Sequence, residues 1–201
     1  MNIALAQLNP TVGDLDGNRQ NIVRYAHRAH DAGADLVVFP ELAVTGYPPQ
    51  DLLEHPHFVE ATGRTVARIA NDVPADLGVI LGAPVPNDLG VGNPVFNAAL
   101  LLDGGSVQAE VHKTLLPTYD IFDEHRYFAS APERRVVEWR GLRIGLHICE
   151  DMWNVEEQAV HRLYKTDPVA ELAAQGVDLF INISASPFSL GKHEVRDAIV
   201  A

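Results

Sequence analysis

Apolar residues follow two different periods along this chain. Short apolar or alternating runs predict strands, whereas segments whose apolar residues recur every three or four positions predict helices. In the helix expected over 18–32, Ile22, Ala26 and Ala29 share one face, and Gly33 ends the pattern. The predicted strands are 2–8, 34–39, 78–84, 96–102, 107–112, 136–139, 142–148 and 178–183, and the other predicted helices are 58–71 and 169–175.

The order of these elements predicts an α/β fold with a mixed sheet, because helices alternate with strands. Asp103-Gly104-Gly105 predicts a hairpin turn between two consecutive strands. Segments 41–56 and 114–132 are expected to be irregular. Residues 197–201 look like the first turn of a helix. We therefore expect residues 1–201 to form one domain that is incomplete at its C-terminus.

Composition narrows the classes of function. The 201 residues are 47% hydrophobic and 21% charged, which is sufficient for a globular core. A formal net charge of −12 and the lack of a basic stripe argue against a nucleic acid partner. The single cysteine excludes an intramolecular disulfide. The N-terminus does not read as a signal peptide, and no apolar run approaches the roughly 18 residues of a membrane span, so we expect a cytoplasmic protein.

Chemically capable side chains follow three of the predicted strands. Glu41, Lys113 and Cys149 each come directly after one of them. Ligands of α/β sheets collect beyond the carboxyl ends of strands, so these three side chains can converge although they are far apart in sequence. A carboxylate, an ammonium and a thiol together suit amide hydrolysis. Taken singly, Glu41 and Lys113 are equally compatible with solvated loop residues.

Strand alternation predicts the direction of the Cys149 side chain. The two faces of the strand are Leu142, Ile144, Leu146 and Ile148 on one side and Arg143, Gly145, His147 and Cys149 on the other. We therefore expect the thiol to leave the apolar face where the strand ends. The alternative is a buried small side chain, the commonest role of a lone cysteine. The neighbouring Glu150 and Asp151 argue against such a core position.

Two other kinds of site are less well supported. His147 and Cys149 share a strand face and could suggest zinc, but there is no second cysteine, and His55-Pro56-His57 is not a recognised ligand spacing. We therefore expect no metal site. A non-catalytic binding module is disfavoured because all three chemical groups are present.

Several segments resemble the nitrilase (carbon–nitrogen hydrolase) superfamily. The signature segments are Phe39-Pro40-Glu41-Leu42, Lys113-Thr114-Leu115-Leu116-Pro117 and Cys149-Glu150-Asp151. Four longer stretches are similar to one branch, the glutaminase domains of glutamine-dependent NAD⁺ synthetases. These stretches are 45–53, 113–128, 149–153 and 182–188.

The resemblance implies a fold and a set of catalytic roles. The fold would be a four-layer α-β-β-α sandwich of roughly 250 or more residues. Cys149 would be the nucleophile, Glu41 the general base, and Lys113 the oxyanion partner, helped by the backbone N–H of Glu150. Glu124 matches the position of a second glutamate in the family, which would orient Lys113 or assist proton transfer. The alternative for Glu124 is an ion pair with another base such as Arg126.

The resemblance also implies the substrate. L-Glutamine would be hydrolysed to release ammonia, with Tyr119, Ser186 and Lys192 binding its α-amino and α-carboxylate groups. In the complete enzyme the ammonia would amidate deamido-NAD⁺. ATP and Mg²⁺ would serve a separate synthetase domain, because this chain contains no Ser-Gly-Gly-x-Asp-Ser phosphate loop and no cofactor site of its own. A homo-oligomer is expected. The alternative is a stand-alone amidase or nitrilase that acts on another small amide or nitrile.

Overall fold

The computed structural model describes residues 1–119, 122–153, 164–187 and 190–200. The strands are β1 Ile3–Leu5, β2 Leu36–Val38, β3 Gly78–Pro86, β4 Val95–Asp103, β5 Ser106–His112, β6 Val137–Trp139, β7 Leu142–Ile148 and β8 Leu179–Ile183. The α-helices are α1 Leu15–Asp31, α2 Pro56–Asp72, α3 Glu124–Tyr127, α4 Pro168–Ala173 and α5 Lys192–Val200, and 3₁₀ helices cover Gln50–Glu54 and Cys149–Met152.

The described strands form two mixed sheets. The first has the order β1-β2-β3-β4-β5, in which β1, β2 and β3 are parallel and the pairs β3–β4 and β4–β5 are antiparallel. The second has the order β6-β7-β8, with an antiparallel β6–β7 pair and a parallel β7–β8 pair. The α/β class with mixed sheets is therefore confirmed.

Helices α1 and α2 cover one face of the first sheet. Their apolar stripes, which include Ile22, Ala26, Val66 and Ile69, join alternate residues of β2, β3 and β4 in one buried cluster. Asp14 caps α1 by accepting a hydrogen bond from the N–H of Gly17 at 2.9 Å. The helical period in the sequence therefore marks the face that packs on the sheet.

The other face of the first sheet packs against the second sheet. Leu36, Ile80 and Leu101 from the first sheet meet Ile144 and Ile181 from the second in a separate buried cluster. β3 and β4 are apolar on both faces because each is covered on both sides. The strand ends that carry the candidate residues therefore lie beside the interface between the two sheets.

The predicted elements agree with the structure except at some boundaries. The hairpin at Asp103-Gly104-Gly105 joins β4 to β5, as predicted. β1 is much shorter than the predicted strand 2–8, because it is paired with β2 over only three residues. Segment 114–132 contains the short helix α3, and 41–56 contains a 3₁₀ helix. The C-terminal helix begins at Lys192, before the predicted position 197.

Candidate active site

Three strand ends bring Glu41, Lys113 and Cys149 together in the interior. Lys113 follows β5 directly, and its Nζ lies 2.8 Å from Glu41 Oε1, in the turn after β2. Both side chains are completely buried, and Cys149 is 3% exposed. Ala185 donates its N–H to Glu41 Oε2 and follows β8, the strand paired with the one that ends before Cys149, so all three groups lie in one site. The predicted convergence is confirmed.

The backbone around Glu41 requires a glycine on the neighbouring strand. A Cβ atom added to Gly82 in β3 would lie 2.2 Å from the backbone nitrogen of Leu42, so the Glu41–Leu42 segment crosses directly over this glycine. Leu42 itself has a positive φ of 49°. Gly82 therefore allows the turn to press against the sheet and hold the Glu41 carboxylate inside.

Glu124 supplies a second buried carboxylate to Lys113. The ammonium lies 2.8 Å from its Oε1 and 2.7 Å from its Oε2. The hydroxyl of Tyr47 donates to Glu124 Oε1 at 2.8 Å. Arg126, the alternative partner, lies 3.6 Å from Glu54 instead. Glu124 is thus placed to orient Lys113, which is one of the two roles the resemblance implies.

The carboxylates of Glu41 and Glu124 lie on either side of the Lys113 ammonium, and this arrangement shifts the pKa values of Lys113 and Glu124. Burial lowers the pKa of Lys113, but the negative charges of Glu41 and Glu124 outweigh it and raise this pKa well above its ordinary value. Burial, together with the charge of Glu41, raises the pKa of Glu124 to about 7 against the opposing effect of Lys113. Lys113 is therefore a fixed cation, whereas Glu124 exchanges its proton near neutral pH.

The raised pKa of Glu124 predicts a pH-dependent stability. A buried acid whose pKa rises on folding stabilises the fold below its unfolded pKa, near 4.5, and loses this contribution as the pH rises through about 7. In Glu124→Gln we expect this decline in unfolding free energy to disappear, because glutamine does not ionise. Urea unfolding of both proteins between pH 4 and 8 measures the difference. Parallel curves for the two proteins would contradict it.

Cys149 occupies a tight turn at the end of β7. Its φ is 44°, and it opens the 3₁₀ helix Cys149–Met152. The prediction that the thiol leaves the apolar face was wrong, because the left-handed backbone ends the two-residue alternation and Cys149 joins the cluster between the sheets. Burial, followed by the charge of Glu41, raises the pKa of the thiol. At neutral pH the thiol is protonated and needs a base to react.

Asp151 ties the nucleophile turn to the Lys113 loop. Its Oδ1 accepts hydrogen bonds from the N–H groups of Thr114 and Leu115, and its Oδ2 accepts one from Ile148. Burial raises its pKa to about 6, although these three donors act in the opposite direction. The expectation that Asp151 and its neighbour Glu150 argue against a buried turn was wrong, since both are buried through polar contacts.

Tyr119 and Ser186, two of the residues that the resemblance assigns to glutamine binding, adjoin residues of this site. Tyr119 is half-exposed and donates its hydroxyl to Glu150 at 2.8 Å. Tyr164 donates to the same carboxylate at 3.0 Å. Ser186 is one residue after Ala185, whose N–H donates to Glu41 Oε2.

Lys192 is the first residue of α5. Its Nζ lies 5.1 Å above the ring of Trp153, four residues after Cys149. Three residues of the stretches that carry the resemblance lie outside the described residues, namely Asp120, Ile121 and Phe188.

Sequence analysis missed two residues that contact the carboxylates. Tyr47 lies within a stretch that carries the resemblance but was assigned no role. Asn97 is fully buried in β4 and donates to Glu41 Oε1 at 2.8 Å. Its signal was a single amide within the apolar run Val95–Leu102, since a buried polar side chain needs a partner.

The described part of the chain contains neither a candidate metal site nor a candidate membrane span. No group of three or more His, Cys, Asp and Glu side chains that could hold a metal ion is found there. No helix there is long and apolar enough to cross a membrane.

The model of the carbon–nitrogen hydrolase family matches residues 2–196, nearly the whole chain. The chain belongs to the carbon–nitrogen hydrolase family. The glutamine-dependent NAD(+) synthetase of Synechocystis sp. is 42% identical over 202 residues, which cover 99% of this chain and 36% of that protein.

Solved structures of other carbon–nitrogen hydrolases have the same fold. The glutamine-dependent NAD⁺ synthetase of Acinetobacter baumannii matches with a TM-score of 0.85 and 31% identity, over 98% of this chain and 35% of that one. A mutant of the amidase from Nesterenkonia sp. AN1, with acrylamide added to its active-site cysteine, matches with a TM-score of 0.77 and 25% identity, over 96% and 70%. The chain thus spans about a third of the length of the synthetases it matches.

Proposed function

We propose that this carbon–nitrogen hydrolase domain hydrolyses the side-chain amide of L-glutamine through a thioester on Cys149 and releases ammonia. The observation that carries the proposal is the buried contact between Glu41, Lys113 and Glu124 beside the thiol. Similarity to glutamine-dependent NAD⁺ synthetases over the whole chain supports glutamine as the substrate.

Acylation begins with a neutral thiol. As Cys149 Sγ bonds to the amide carbon, Glu41 takes the thiol proton and the carbonyl π electrons move to oxygen. The oxyanion is stabilised by the Lys113 ammonium and the backbone N–H of Glu150. Because Lys113 stays charged over the working pH range, its contribution needs no proton transfer.

Ammonia release and deacylation use the same carboxyl group. Glu41 returns its proton to the amide nitrogen as the carbon–nitrogen bond breaks, leaving a γ-glutamyl thioester and ammonia. Water then attacks the thioester carbon while Glu41 accepts a proton from it. Glu41 returns this proton to Cys149 Sγ as the carbon–sulfur bond breaks, which gives glutamate and the Cys149 thiol. Atoms and protons balance over the cycle, with one water consumed.

The wider role follows from the relatives. In a complete glutamine-dependent NAD⁺ synthetase the ammonia would amidate deamido-NAD⁺ at a second domain that uses ATP and Mg²⁺. We infer that the present chain supplies the ammonia for such a reaction. We also infer that its two sheets belong to a four-layer sandwich, with α4 on the second sheet, since Leu172 of α4 is buried at 1% exposure and lies beside Leu146 and His147 of β7.

A second candidate is an amidase that acts on another small amide. The match to the Nesterenkonia amidase favours it, because this chain covers 70% of that amidase but only 35% of the Acinetobacter synthetase. The test is ammonia release by the full chain from glutamine, asparagine and acetamide at equal concentrations. Preference for glutamine supports the first proposal, whereas equal or faster hydrolysis of acetamide would reject it in favour of the amidase.

Tyr119→Phe should weaken glutamine binding specifically. The tyrosine hydroxyl donates to Glu150, the residue after Cys149, and we propose that it binds a polar group of glutamine that acetamide lacks. We expect the KM for glutamine to rise about 5- to 10-fold, the value of one hydrogen bond, with little change in kcat. Tyr127→Phe, which loses a hydroxyl bonded to Asp51, is the matched control. An unchanged KM in Tyr119→Phe would remove Tyr119 from the binding residues.

A further inference from the structure

Asn97 contacts both the base and the cation of the site. Its side-chain Nδ2 donates to Glu41 Oε1 at 2.8 Å, and its backbone carbonyl accepts the N–H of Lys113 at 2.8 Å. The residue is fully buried in the middle of the first sheet. A single strand residue therefore holds the Glu41 carboxylate and the start of the Lys113 loop at a fixed separation.

In the side-chain amide of Asn97, only Nδ2, which donates to Glu41, has a hydrogen-bond partner among the described residues. Its Oδ1 is buried and has no hydrogen-bond partner among the described residues. An asparagine kept for strand stability alone would leave a costly orphan acceptor that an apolar side chain avoids. The free-energy cost of the unpaired Oδ1 is explained if Asn97 is required for the hydrogen bond from Nδ2 to the Glu41 carboxylate.

The two oxygens of Glu41 have different surroundings. Oε1 accepts from both Asn97 and Lys113, whereas Oε2 accepts only the N–H of Ala185 at 3.0 Å among the described residues. Ala185 follows β8, which runs parallel to the strand that ends at Cys149, with Ile148 paired to Ile183. Oε2 thus lies on the nucleophile's side and keeps a lone pair for a proton.

We propose that Asn97 is a positioning residue that fixes Oε1 of Glu41 and so makes Oε2 the oxygen that exchanges protons with Cys149 and the substrate. The proposal rests on the role of Glu41 in the proposed function. Without the amide, the carboxylate is held at Oε1 by Lys113 alone and can turn about that contact. The charged and titratable groups that face Glu41 from other elements are Lys113, Glu124, Tyr47 and Cys149.

The test compares Asn97→Leu with the wild-type full chain in glutamine hydrolysis from pH 5 to 9. Leucine has a similar size and removes the donor without adding charge. We expect kcat to fall about 10- to 100-fold with KM nearly unchanged. A kcat equal to that of the wild type, or a loss that appears in KM instead, would overturn the proposal.

Asn97→Asp gives a second readout if the leucine variant does not fold. A neutral aspartic acid still donates a hydrogen bond to Glu41, whereas its ionised form repels the Glu41 carboxylate. Its activity relative to the wild type should therefore fall as the pH rises, and a constant ratio would contradict the proposal. Thr62→Val, which loses a buried hydroxyl bond to Phe58 on α2, controls for the loss of any buried polar contact.

Glu41→Gln separates this inference from the proposed function. If that variant hydrolyses glutamine normally, the base assignment fails and the inference about Asn97 falls with it. If Glu41→Gln is inactive but both Asn97 variants behave like the wild type, only the inference about Asn97 is rejected.

Discussion

Cys149→Ala should reduce glutamine hydrolysis by about 10⁴-fold or more while leaving the fold intact. The thiol is the group that forms the thioester, and no other cysteine exists in the chain to replace it. Loss of a covalent nucleophile costs several orders of magnitude in other hydrolases. Because the thiol is small and its turn is fixed by Asp151, we expect little change in thermal stability. Ammonia release from glutamine and a melting curve measure the two effects.

Cys149→Ser is the matched control for this experiment. Serine keeps a hydroxyl in the same turn, but its proton is much harder to remove, so we expect activity to remain close to that of the alanine variant. An amide electrophile such as iodoacetamide should add one carboxamidomethyl group to the wild type and none to either variant. Normal ammonia release by Cys149→Ala would show that the nucleophile lies elsewhere.

The sequence predicts the sheet better than the termini of its strands. The strands β3 and β4 are long apolar runs because both of their faces are covered. Such runs can be recognised from the sequence alone. β1 could not be bounded in this way. Its end is set by where the pairing with β2 stops, whereas Ala6 and Leu8 continue the apolar pattern beyond Leu5.

The site was predictable in its three main residues but not in its contacts. Glu41, Lys113 and Cys149 stand out because each follows a strand and belongs to a signature segment. The burial of Cys149 depends on a left-handed turn that strand alternation does not foresee. Likewise, the link from Asn97 to Glu41 joins positions 56 residues apart, and its existence depends on the register of neighbouring strands.

Lys113→Met should have the largest effect on stability as well as a large effect on activity. Methionine removes the ammonium that lies between Glu41 and Glu124, so two buried carboxylates lose their opposing charge. Removal of one partner from a buried ion pair typically costs about 3 to 5 kcal/mol. We expect a loss of this size in urea unfolding at pH 8, above the pKa of about 7 of Glu124. Below about pH 6 the loss should shrink, because Glu124 then carries a proton more readily.

The double variant Lys113→Met/Glu124→Gln separates the two roles of the lysine. With one carboxylate neutralised, the remaining charge on Glu41 still has the Asn97 amide and the Ala185 N–H as donors. Much of the lost stability should therefore return. Activity should not return, because the cation that stabilises the oxyanion is still missing, and such a loss costs about 10² to 10³ in rate. Recovery of both properties would mean that Lys113 serves only to balance charge in the core, whereas recovery of stability alone assigns the ammonium to the reaction.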